Sequence, residues 1–108
     1  MGVTRTDLYT NEQNEMAVAA KALAHPARIA IINCLLKANA CITGDLVLEI
    51  GLAQATISQH LRELKEIGII QGSIEGASVS YCINPQRWNE IRGNFNNLFD
   101  SYKDPSCC

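Results

Sequence analysis

The sequence has no apolar run long enough to span a bilayer and no basic-then-apolar leader, so a cytoplasmic protein that stays out of the membrane is expected. Net charge is also scarce: 9 Lys and Arg against 11 Asp and Glu leave −2. That balance counts against a protein that coats nucleic acid by bulk charge, but not against a specific reader that gathers its few cations on one face. Histidine is almost missing, with only His25 and His60, and neither stands in a segment that reads as a catalytic site. No nucleophile motif, phosphate loop or carboxylate pair is present, so an enzyme is not expected. Cysteine, by contrast, is not lacking: Cys34, Cys41, Cys82, Cys107 and Cys108. Their odd number, the adjacency of the last two and a helical core that needs no staples point to reduced thiols in a reducing compartment. Within AIINCLLKA, Cys34 reads as a small buried apolar residue.

At 108 residues the chain makes one domain, small enough to gain from dimerisation. Residues 1–10 carry no periodicity and read as a loose N-terminal arm, residues 11–102 as the folded domain and residues 103–108 as a flexible cysteine-containing tail. Met16, Ala19, Ala20 and Leu23 fall at helical spacing over about 11–23. His25-Pro26 ends that helix and opens a second, to about Ala38, expected to bury Ile29, Ile32, Leu35 and Leu36. Thr43 caps a short helix carrying Leu46, Val47 and Ile50, and Gly51 supplies a turn. Ile57, Leu61 and Leu64 stripe the next helix, which stops at Gly68. Over 69–84 the period changes to two: Val79, Tyr81 and Ile83 alternate with Ser80 and Cys82, and Glu75-Gly76 suits a tight hairpin turn.

Asn84-Pro85 caps a last helix on which Trp88, Ile91, Phe95, Leu98 and Tyr102 recur at spacings of 3, 4, 3 and 4. Such a continuous apolar seam has nothing left in a domain of this size to cover it fully. Pairing with a second subunit, with Met16 and Leu23 of the first helix alongside, is the economical answer. The expected fold class is therefore mostly α with a small β-hairpin wing: a winged helix-turn-helix, dimeric through its first and last helices. The stripe on the helix after Gly51 leaves Gln54, Thr56, Ser58, Gln59 and Arg62 facing outward. Glutamine can pair with adenine and arginine with guanine, while Ser and Thr serve phosphates, so double-stranded DNA is the expected partner.

KALAHPARIAIINCL and ATISQHLRELKEIGII, followed by a hairpin and an aromatic last helix, resemble the ArsR/SmtB family of metalloregulatory repressors over roughly residues 17–102. The resemblance implies a homodimeric winged-helix repressor that binds operator DNA and leaves it when an inducer binds. It carries DNA contact onto Gln54, Thr56, Ser58, Gln59 and His60, with a structural role in steadying the turn as the competing reading of His60. Two departures stand out. The segment Ser73-Ile74-Glu75-Gly76-Ala77-Ser78 lacks the wing's usual Arg or Lys, and Ala53 stands where the family more often has a Ser or Thr cap.

For the inducer, the family's zinc, nickel and cobalt sensors use carboxylate and histidine pairs on the last helix, whereas WNEIRGNFNNLFDSY has no histidine. Its arsenic and antimony sensors use a Cys-x-Cys-Asp segment, which here reads Cys41-Ile42-Thr43-Gly44-Asp45, with Thr43 in place of the second sulfur. Cys107 and Cys108 could supply the missing thiolates, giving a trigonal arsenite or antimonite site with Cys41. The alternatives are a repressor that senses oxidation of Cys41 with a tail cysteine, one that answers another soft metal, and one without a metal inducer. A dimerisation module that does not bind DNA is a further alternative. Cys82, on the strand face opposite Tyr81, is not expected to ligate.

Overall fold

The computed structural model describes residues 6–39, 41–42, 50–75 and 78–105. In chain order these form a 3₁₀ turn (Thr6–Leu8), α1 (Asn11–Leu23), α2 (Pro26–Ala38), α3 (Gln54–Glu66), β1 (Ile70–Glu75), β2 (Ser78–Ile83) and α4 (Pro85–Asp100).

Capping chemistry sets the helix starts. Thr10 Oγ1 accepts from the Gln13 backbone N–H and the Gln13 side chain accepts from the Thr10 N–H, each at 3.0 Å, a reciprocal box opening α1. Order thus begins within the segment expected to be a loose arm, because residues 6–10 contribute the 3₁₀ turn and this cap. His25 caps α2 with its own ring, Nδ1 accepting from the Ala27 N–H at 3.0 Å, and Pro26 occupies the first turn. Asn39 closes α2 with a left-handed φ of 50°. Asn84 caps α4 through the Arg87 N–H, again with a proline next.

The core joins Ala19 of α1, Ile31, Ile32 and Leu35 of α2, Ile57, Leu61 and Leu64 of α3, Ile69 and Ile70 at the start of the hairpin, and Ile91 of α4. Two expectations for α2 fail: Ile29 and Leu36 are 44% and 48% exposed, and Ile31 is fully buried in their stead. The cause is that Ala30–Leu36 is apolar on nearly every side, so periodicity alone cannot choose the face. The choice is made by α1, α3 and β2, which all pack on α2.

The seam on α4 divides in two. Ile91 is buried in the chain's own core, and Trp88, Phe95 and Leu23 pack against it, because α1 lies along α4. Leu98 and Tyr102, with Phe99, remain 55%, 73% and 70% exposed. The domain thus covers more of the seam than its length suggested.

The hairpin is antiparallel with Ile70 opposite Ile83 and Glu75 opposite Ser78. Tyr81, opposite Gly72, exchanges both backbone hydrogen bonds with Ile42 at 2.9 Å, so the segment 41–42 adds a short third edge to β2. A Cβ at Gly72 would stand 3.2 Å from the Tyr81 ring, so glycine there leaves the ring room to cross the sheet. Of the expected short helix before Gly51, only Ile50 is described, and it is helical; Thr43, Leu46 and Val47 lie outside the described residues, as does the turn at Gly76. Gly51 has the positive φ, 79°, that a turn into α3 needs. Among the described residues no single helix is long and apolar enough to cross a membrane.

Candidate nucleic-acid interface and cysteine pair

α3 buries Ile57, Leu61 and Leu64 and leaves Thr56, Ser58, Gln59 and Arg62 exposed, which is the division its sequence calls for. Gln54 is its first residue, and Ala53 before it makes no side-chain cap, so the first-turn N–H groups are not covered by an N-cap side chain. Such groups at a helix N-terminus suit a phosphate oxygen. Gln59 is within 3.4 Å of Glu63, an exposed contact that a base edge can displace.

His60 is not part of that exposed row. It is only 7% exposed, and its Nδ1 accepts from Arg28 Nε at 3.0 Å while Arg28 also donates to the Ala22 carbonyl at 3.0 Å. The His25 ring lies 4.5 Å away, centroid to centroid. Burial, reinforced by the charges of His25 and Arg28, holds the His60 imidazole below its ordinary pKa despite a weaker opposing pull from Glu63. The neutral ring that results is the form able to accept from arginine. His60 therefore ties α3 to the α1–α2 corner, the structural role that competed with DNA contact for this residue. Arg28, half of this tie, carried no sequence signal of its own. At the other end of α3, Arg87 Nε donates to the Ile67 carbonyl at 3.0 Å, so α4 caps the C-terminus of the recognition helix.

The wing follows α3 directly, but side chains 73–79 lie outside the described residues, as do Thr43 and Asp45 of the cysteine segment.

Cys41 and Cys82 are joined as a disulfide, with their Cα atoms 4.3 Å apart. The backbone explains the pairing. Ile42 and Tyr81 form a hydrogen-bonded antiparallel pair, so the next pair outward, Cys41 and Cys82, is non-hydrogen-bonded. In that position Cα atoms sit about 4.5 Å apart with both side chains on one face. This departs from the expectation that all the thiols are reduced, and it gives Cys82, which was not expected to ligate a metal, a covalent partner. Cys41, expected as a metalloid ligand with Cys107 and Cys108, has its sulfur bonded within the domain, while Cys107 and Cys108 lie outside the described residues. Among the described residues no three His, Cys, Asp or Glu side chains converge as a metal site. Cys34 is half-buried against the core, as its apolar surroundings implied.

Comparison with known proteins agrees with this architecture. Residues 25–71 match the family model of bacterial regulatory proteins of the arsR family. The biofilm growth-associated repressor of Xylella fastidiosa is 38% identical over 69 residues, covering 64% of this chain and 59% of that protein. The HTH-type transcriptional regulator CmtR of Mycobacterium tuberculosis is 35% identical over 78 residues, covering 70% and 65%. The chain thus matches less than two thirds of the length of either relative. The crystal structure of the transcriptional repressor BigR from Xylella fastidiosa superposes with a TM-score of 0.63 at 27% identity, covering 90% of this chain and 97% of that one. With the arsR-family model matched over residues 25–71 and the fold shared with the BigR repressor, the chain belongs to the ArsR/SmtB family of winged helix-turn-helix regulators.

Proposed function

We propose that the chain is a homodimeric transcriptional repressor that reads operator DNA through α3 and releases it when Cys41 and Cys82 are oxidised to their disulfide. The observation that carries the choice of signal is the cross-strand pairing of the two cysteines. The DNA reading rests on the exposed polar face of α3, and Gln54, Thr56, Ser58, Gln59 and Arg62 are the contact set. The dimer reading rests on exposed Leu98, Phe99 and Tyr102 at the end of α4, together with half-buried Met16 on α1.

The coupling is geometric. Cys41 stands just before the segment expected to form the first half of the helix-turn-helix, and Cys82 stands two residues before the α4 cap Asn84. A bond between them fixes the DNA-reading unit against the helix that sets subunit spacing. Whatever the path, the signal acts only by the difference in free energy it makes between binding and non-binding states.

A second reading rests on the same pair. In the reduced state Cys41 and Cys82 are two adjacent thiolates, and Cys107 or Cys108 could complete a trigonal arsenite, antimonite or other soft-ion site. To separate the two, reduced protein bound to its own upstream DNA is titrated with hydrogen peroxide and, separately, with arsenite. Release by peroxide alone, absent in Cys82→Ser, is the expected result. Release by arsenite without oxidant, lost in the double variant Cys107→Ser/Cys108→Ser, would replace oxidation with the metalloid.

A further inference from the structure

Beside the cysteine pair lies a cleft of about 390 Å³ between α2, the end of β2 and the start of α4. Leu35 and Leu36, Ile83, Pro85 and Trp88 make its walls, Asn39 and Asn89 edge it, and both Cys41 and Cys82 line it. The size is within the range of small-molecule sites, and such sites are mainly apolar with a few placed polar groups. None of the nine described lining residues carries a charge. Such a wall neither attracts an anionic oxidant nor is needed by one as small as hydrogen peroxide, but it suits an uncharged oxidant with a hydrocarbon body. The exposed side chain of Leu36 is accounted for in the same way, as a wall of this cleft rather than a misplaced core residue.

We propose that the cleft binds organic hydroperoxides and delivers the peroxide group to the cysteine pair. This rests on the reading of Cys41 and Cys82 as the signal thiols. The thiolate of Cys41, the more exposed partner, attacks the distal peroxide oxygen. The O–O bond breaks, Cys41 becomes a sulfenic acid, and the alkoxide takes a proton to leave as the alcohol. The Cys82 thiolate then attacks the sulfenic sulfur, expelling hydroxide that takes up a proton as water. Two thiols and one hydroperoxide thus give the disulfide, one alcohol and one water. Binding raises the local concentration of oxidant at the sulfur, which compensates for the absence of a cation among the described lining residues to activate the thiolate.

The chain's single tryptophan, Trp88, lines the cleft, so its emission reports occupancy and oxidation together. Reduced chain is mixed with cumene hydroperoxide or hydrogen peroxide, following Trp88 emission and quenching samples to quantify the Cys41–Cys82 peptide by mass spectrometry. Cumene hydroperoxide is expected to react at least roughly tenfold faster, to saturate with concentration, and to be slowed by the unreactive alcohol 2-phenyl-2-propanol. Leu36→Glu and, independently, Asn89→Asp place a carboxylate at the cleft on exposed positions; each should abolish the preference while the hydrogen peroxide rate stays within about twofold. Equal rates for the two peroxides, or a preference that survives both variants, would overturn the proposal. Disulfide formation with DNA release but no preference would remove the cleft and keep the oxidation signal. A cleft-dependent preference with unchanged DNA affinity would keep the cleft and remove the signal.

Discussion

At the scale of single residues, His60 sits buried on α3, accepting from Arg28 beside the His25 ring. Its position on the recognition helix made a DNA contact and a structural tie equally legible. The structure supplies what the sequence lacked, the Arg28 donor from a helix 32 positions earlier. Replacing His60 with Leu leaves a half-buried guanidinium without that acceptor, and should cost about 1–3 kcal/mol in urea denaturation. The pH dependence has a definite sign. The folded state keeps His60 neutral below its ordinary pKa of 6.5, so in that region the unfolded chain binds more protons. This contribution to stability is complete above 6.5 and declines as the pH falls from there to the depressed folded pKa. His60→Gln, which can still accept from Arg28 but does not titrate, should show a shallower decline through that window than the parent. Parallel stability profiles for the two proteins would contradict the assignment.

At the scale of elements, the junction after α3 rests on Gly68, whose φ is 84°. A Cβ there would also press on Arg87 Cγ at 3.3 Å, the side chain that caps Ile67. Gly51 has nearly the same φ, 79°, but open space around it. Asparagine, which tolerates left-handed backbone, should therefore be almost neutral at Gly51. At Gly68 it should be clearly worse, with Gly68→Ala costing about 1–2 kcal/mol from backbone alone. Thermal melts of the three variants check this, and equal losses for asparagine at both sites would show that the Arg87 contact has no weight. The helix boundaries were legible because each start is marked by local chemistry: His25-Pro26 and Asn84-Pro85 are a cap and a first-turn proline. The buried face of α2 was not, since Ile29, Ile31, Ile32 and Leu36 are equally apolar and only the packing of α1, α3 and β2 selects among them. The cysteine pair was less legible still. Cys41 and Cys82 are 41 residues apart, and among the described residues their meeting depends on one isolated backbone bridge, Ile42 to Tyr81, which no hydrophobic pattern announces.

At the scale of the whole molecule, three features of the proposed repressor converge on one coupling. In that reading α3 presents the contact face and the exposed end of α4 an apolar surface for a second subunit, while the Cys41–Cys82 bond joins the segment before α3 to the strand that leads into α4. With a net charge of −2, bulk attraction does little, so in the proposed dimer affinity depends on how the two recognition helices are spaced for their half-sites. A bond that alters that spacing alters affinity in both half-sites at once. The most direct measurement is the dissociation constant for the upstream DNA at one fixed salt concentration, by fluorescence anisotropy, for the fully reduced and fully disulfide-bonded chain. The reduced form should bind more tightly by a factor on the order of 5–150, the usual span of allosteric coupling. Cys82→Ser should bind like the reduced form under both conditions. Equal affinity of the reduced and oxidised chains would contradict redox control, leaving a DNA-binding repressor whose cysteine pair is only a structural staple.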